Sequence, residues 1–142
     1  MPRGVMSTGS DSTTESLRIK IERIDHVALV VRDLQTSKKW YGEMFGFKSL
    51  DNNPASPYVG NDNVKLALLQ IAEGSTFTPP VSQGARACHF AFGADRSTFE
   101  SYRTRLDGLN IRYEELTHSD SQSIYFSDPD GYMIEVTTYE TG

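Results

Sequence analysis

Three residues of this 142-residue chain are candidate ligands for one divalent metal: His26, His89 and Glu135. Each sits in a run suited to a β-strand, IDHVALVV (24–31), ACHFAF (87–92) and YMIEVTT (132–138). Side chains alternate between the two faces of a strand. In 87–92, Cys88, Phe90 and Phe92 take one face and suit packing beneath a helix. Ala87, His89 and Ala91 take the other, so the histidine has small neighbours and open space. His26 shares its face with Ala28, and Glu135 shares its face with Met133 and Thr137. Two neutral imidazoles and one carboxylate make the facial triad that binds Fe(II), Mn(II) and similar ions and leaves positions for substrate and water. Without such a partner, a buried Glu135 would bear a large desolvation cost or stay protonated.

The elements that must place these residues follow from periodicity. Ile24–Val31 predicts a strand, being β-branched and too short for a buried helix. Asp33 then opens a helix whose Leu34, Ser37, Tyr41, Met44 and Phe45 fall near one face, with Gly46 as its C′ residue. Strands are expected at Phe47–Leu50, Pro57–Val59 and Val64–Ile71. The pattern restarts at Ala87–Phe92. A capping box at Ser97-Thr98-Phe99-Glu100 predicts a second helix, which Gly108 ends. Strands follow at Ile111–Glu114, Ser123–Phe126 and Tyr132–Thr138, with Asp128-Pro129-Asp130-Gly131 as a turn.

These are two copies of one βαβββ unit. His26 and His89 have the same separation, within one residue, as Asp33 and Asp95, Trp40 and Tyr102, and Gly46 and Gly108. SPYVGNDNVKLALL (56–69) aligns with SIYFSDPDGYMIEV (123–136), pairing Tyr58 with Tyr125 and Leu68 with Glu135. Residues 72–86 join the halves. The fold class expected is α+β, two βαβββ modules forming a curved sheet around a metal-binding cavity.

Composition narrows the partners. A formal net charge of −5 with scattered Lys and Arg gives no footprint for nucleic acid or an anionic membrane. Cys88 is the only cysteine, so neither an internal disulfide nor a cysteine-based zinc cluster is available. A reducing, cytoplasmic location is expected. Residues 1–20, rich in Ser, Thr and Gly, read as a loose tail, and residues 21–140 as one domain.

IDHVALVVRDL, WYGEMFGF, CHFAF and above all SIYFSDPDGYMIEV resemble the vicinal oxygen chelate superfamily of glyoxalases, bleomycin-resistance proteins, ring-cleaving dioxygenases and fosfomycin-resistance enzymes. The resemblance covers about Ile21 to Tyr139. It implies one metal ion held by His26, His89 and Glu135, Fe(II) preferred and Mn(II), Ni(II) or Zn(II) possible. It also implies a small substrate that chelates the metal through two adjacent oxygens, and a homodimer.

The branch turns on the fourth ligand position. Glyoxalase I-like members usually carry a carboxylate there, where the internal alignment places Leu68. Gln70, two residues on, could serve if the alignment slips. SDSQSIYF (119–126) resembles the phosphonate-binding loop of fosfomycin-type thiol transferases, with Ser119, Ser123 and Tyr125 in place. Ala28 replaces their threonine, however, and Glu115 stands at the position of their lysine. Extradiol dioxygenases share the two-His-one-Glu set, and their active-site tyrosine maps onto Tyr125. An Fe(II) dioxygenase-like reaction is therefore expected first, with Tyr125 catalytic and Ala28, Leu68, Gln70, Ala91 and Ser123 lining the substrate. A glyoxalase-type lyase or epimerase, a thiol transferase and a non-catalytic drug-binding protein are the alternatives. Cys88 and His118 are not expected to ligate.

Overall fold

The computed structural model describes residues 18–78 and 88–140. The expectations for residues 1–17 and 79–87 lie outside these. The first module runs β1 (Val27–Val31), α1 (Leu34–Phe45), β2 (Lys48–Ser49), β3 (Tyr58–Gly60) and β4 (Lys65–Gln70). The second runs β5 (His89–Gly93), α2 (Arg96–Gly108), β6 (Glu114–Thr117), β7 (Gln122–Ser127) and β8 (Met133–Thr138). Each βαβββ module makes one four-stranded sheet, in the orders β1-β4-β3-β2 and β5-β8-β7-β6. In both, the first strand is an edge strand and pairs in parallel with the last.

The repeat extends to the helix caps. Asp33 and Asp95 each accept a hydrogen bond from the amide three residues on, Thr36 at 2.9 Å and Thr98 at 2.8 Å. The Thr36 hydroxyl, and then its amide, hold the Asp33 carboxyl below the ordinary carboxylate range, and the Thr98 amide does the same for Asp95. The capping box expected at Ser97 is corrected: Asp95 already caps the helix, and Glu100 instead pairs with Arg96 and Arg103. Gly46 closes α1 in the left-handed conformation, φ +73°, which a residue without Cβ adopts at no steric cost. Strand β6 spans Glu114–Thr117 and so begins where the strand expected at Ile111–Glu114 would end.

One core serves both modules. Leu29, Val31, Val59, Leu66 and Leu68 of the first sheet are buried with Ile124, Phe126, Ile134 and Val136 of the second, and with Tyr41, Met44, Phe99 and Leu106 of the helices. Full burial of each such side chain is worth about 1.5–3 kcal/mol. Phe45 of α1 sits at the junction, its ring 5.0 Å from Phe92 and 5.4 Å from Tyr102. The helix-facing sides of the two sheets are thereby consumed. The opposite sides, carrying His26, Ala28 and Val30 on one sheet and His89 and Ala91 on the other, stay exposed.

The DPDG turn locks the modules together. Asp128 accepts a hydrogen bond from the Tyr41 hydroxyl at 2.7 Å and from the amides of Asp130 and Tyr132, each at 2.9 Å. Asp130 accepts from the Arg32 amide and guanidinium and from the Ser37 hydroxyl at 3.2 Å, and the Tyr132 hydroxyl reaches the Val30 carbonyl. Burial pushes Asp128 and the Tyr41 hydroxyl up from their ordinary values. The motif that carries most of the family resemblance thus works as a joint between the halves.

Candidate metal centre

Strand register decides which side chains meet. Parallel pairing sets Ala91 of β5 beside Glu135 of β8, and His89 beside Met133. Antiparallel pairing sets Tyr125 and Ser123 of β7 beside Glu135 and Thr137. His89, Glu135, Tyr125 and Ser123 therefore share the open face of the second sheet. His89 Nε2 lies 2.9 Å from Glu135 Oε1. The His89 and Tyr125 rings meet edge to face at 5.6 Å. Ser123 Oγ donates to Glu135 Oε2 at 2.6 Å and lies 2.9 Å from Thr137 Oγ1.

Two ligand atoms each about 2.1 Å from an ion and at a right angle to one another stand about 3.0 Å apart. The His89–Glu135 separation fits two adjacent positions of such an ion, with Ser123 steadying the carboxylate from behind. Beside this pair, Tyr125, Met133 and Glu114 line a cavity of about 500 Å³ that also reaches Ile111, Tyr113 and Phe126.

His26 lies on the other sheet. It precedes β1, and its face carries Ala28 and Val30 of that strand with Ala67 and Leu69 of β4 beside them. Its Nδ1 lies 2.8 Å from Asp25 Oδ2, and its ring meets Tyr58 edge to face at 6.0 Å. Lys65 Nζ is 3.5 Å from the same Asp25 oxygen and 4.9 Å from the Tyr58 ring centre. The imidazole, and then Lys65, hold the Asp25 carboxyl below the usual carboxylate range. The two open faces repeat each other, since each carries a histidine set edge-on to a tyrosine. Among the described residues, no group of three or more His, Cys, Asp or Glu is disposed to hold a metal ion within one chain.

Several expected site residues land elsewhere. Leu68 is fully buried on the helix side of β4, so it lines no open cavity. The internal alignment is displaced there by one residue. Ala67, next to Ala28 and Tyr58, stands where Glu135 stands in the second sheet. Gln70 is also structural: its Nε2 donates to the Arg32 carbonyl and its Oε1 accepts from the Leu34 amide, both at 2.7 Å. Ser123 is fully buried and holds Glu135 instead of facing a substrate. Ala28 and Ala91 are exposed on the faces expected of them.

Glu115 pairs with Ile124 and so belongs to the helix side, bound by Arg103 and Gln122. His118 sits in the turn between β6 and β7, its amide bonded to the Ser121 carbonyl. Sequence reasoning missed Asp25 and Lys65, although Asp25 adjoins His26 in the chain.

Two βαβββ modules with repeated histidine-bearing faces define a class of protein, and comparison gives it a name. The chain belongs to the Glyoxalase/Bleomycin resistance protein/Dioxygenase superfamily, which residues 23–136 match. It is 27% identical over 116 residues to a glutathione transferase FosA of Serratia marcescens, covering 82% of this chain and 80% of that one. It is 30% identical over 121 residues to a metallothiol transferase FosB of Staphylococcus saprophyticus, covering 83% and 78%. Among solved structures, a glyoxalase/dioxygenase of Nostoc punctiforme is 29% identical, with a TM-score of 0.67 over 84% of this chain and 92% of that one.

Proposed function

We propose that this protein is a divalent-metal-dependent enzyme that works as a homodimer on a small substrate with two adjacent oxygens. Each ion, Fe(II) or Mn(II) by preference, is held by His89 and Glu135 of one copy and His26 of the other. The observation that carries this reading is the 2.9 Å spacing of His89 Nε2 and Glu135 Oε1 on an open sheet face, with His26 on a matching face of the other sheet. Both β1 and β5 are edge strands, which invite pairing with another chain. Val30 and Leu69 add exposed apolar surface beside His26, each 42% accessible. Apolar surface of this kind favours a covering partner.

When bound, the ion polarises the substrate oxygens as a Lewis acid. The chain's own residues do the rest. Glu135 is kept in place by Ser123, Tyr125 stands beside His89 to meet a substrate oxygen, and Met133 with the adjoining cavity receives the substrate body.

For the reaction itself we favour transfer of a thiol to an oxygenated electrophile. The sulfur would form a bond to carbon as a carbon–oxygen bond breaks, and the departing oxygen would take up a proton. Two observations support this above the oxygenase ranked first from sequence. Relatives over four-fifths of the chain are named as a glutathione transferase and a metallothiol transferase. Glu115, which seemed to deny an anionic substrate its cation, points to the helix side, and Lys65 lies on the open side near His26. Tyr125 beside His89 favours the oxygenase as the second reading. The test is to load the protein with Mn(II) or Fe(II) and follow glutathione consumption with fosfomycin, against oxygen uptake with catechol. Adduct formation supports thiol transfer, and oxygen uptake alone would reverse the order.

A further inference from the structure

We propose that Asp25 is the positioning residue of His26, presenting Nε2 as the ligand atom, with Lys65 holding Asp25 in place. This rests on the reading of His26 as a ligand. A carboxylate only accepts hydrogen bonds, so the 2.8 Å contact puts the proton on His26 Nδ1 and leaves the Nε2 lone pair free of it. His89 also directs Nε2 toward its site, at Glu135. The two histidines then offer the same atom to one ion, as their repeat relationship requires.

An imidazole at the start of an edge strand, with a side chain 40% exposed, would otherwise sample several rotamers. Asp25 limits that freedom, and Asp25 is itself restrained. Lys65 Nζ lies 3.5 Å from the oxygen that His26 uses, and Arg23 Nη2 lies 3.5 Å from the other. Lys65 is fixed in turn over the Tyr58 ring, which also flanks His26. Four side chains from the approach to β1, from β3 and from β4 thus converge on one ring orientation. An outer hydrogen-bond partner fixes the tautomer and ring orientation of a ligating histidine, and losing it costs about ten- to a hundredfold in metal affinity.

The experiment is Mn(II) binding by the full chain, read from the free-ion electron spin resonance signal, for wild type, Asp25→Ala, Asp25→Asn and His26→Ala. Asp25→Ala should bind about ten- to a hundredfold more weakly. Asp25→Asn, which keeps an acceptor oxygen, should recover most of the loss, with sedimentation of both variants unchanged. Wild-type affinity in Asp25→Ala, with binding lost in His26→Ala, would overturn the role of Asp25 and leave the ligand set intact. Equal loss in both Asp25 variants would overturn it too, since charge alone would then be at work. Wild-type affinity in His26→Ala would instead remove the ligand set on which the inference rests.

Discussion

Ala67 occupies in the first sheet the place that Glu135 occupies in the second. Each lies beside an alanine of its module's first strand, Ala28 or Ala91, and across from a tyrosine, Tyr58 or Tyr125. One site is a metal ligand candidate and its repeat partner is a methyl group. The proposed centre therefore has three protein ligands, and Ala67 is the position that sets the number.

Restoring the carboxylate should change the coordination. Ala67→Glu is expected to bind Mn(II) at least about tenfold more tightly, because a fourth protein ligand, a carboxylate oxygen, enters a face that already holds His26. Titration calorimetry at fixed pH would measure it. Unchanged affinity in a folded Ala67→Glu would mean that this face is not part of the centre.

Ser123 is expected to act through Glu135. Ser123→Ala removes the 2.6 Å bond to Oε2 and leaves no polar replacement for it. Metal affinity should fall about tenfold or more, while folding stability drops by about 0.5–1.5 kcal/mol. A loss of stability without a loss of affinity would restrict Ser123 to packing.

The joint between modules carries a pH signature. Burial raises the Asp128 carboxyl above its ordinary value of 3.8, against the pull of the Tyr41 hydroxyl and two amides. A raised value in the folded state means that its contribution to stability is full below 3.8 and is lost as pH rises through the folded value. Asn at this position has no charge to bury. The stability difference between wild type and Asp128→Asn, from urea melts at about pH 4 and pH 7, should shift toward Asn at the higher pH. A shift toward Asp would contradict the desolvation argument.

Gly60 is required for steric reasons at the turn between β3 and β4. A Cβ there would stand 1.8 Å from the Val64 carbonyl oxygen, and that backbone is pinned by the Asn61 amide at 2.9 Å. Gly60→Ala should destabilise by at least about 1–3 kcal/mol, the usual cost of overpacking. A thermal melt matching wild type would show that the turn relaxes freely.

Much of this fold is legible in the amino-acid sequence. The βαβββ order, the cap at Asp33 and the strand faces of His26, His89 and Glu135 follow from local periodicity and repeat spacing, whereas the second cap is Asp95 and not the expected Ser97. Three things were not. Matching residues along the chain paired Leu68 with Glu135, whereas strand register, a tertiary property, pairs Ala67 with it. The side chain of Gln70 was spent on the start of α1, a contact no strand pattern reveals. The helix-facing sides of the two sheets were used within one chain, which leaves the two histidine faces open in the single chain. Only packing determines that outcome, since either face of each sheet has the small or apolar residues needed to be covered.

The shared centre is tested most directly by mixing two variants. His26→Ala and His89→Ala are each expected to bind no metal tightly as homodimers. Unfolded together and refolded, they should form mixed dimers in which one centre is dead twice over and the other has all three ligands intact. Metal binding reappearing in the mixture, in proportion to the mixed dimer, is the result this account predicts. A mixture that forms dimers but stays as empty as its components would contradict it, since each centre would then draw all its ligands from one chain.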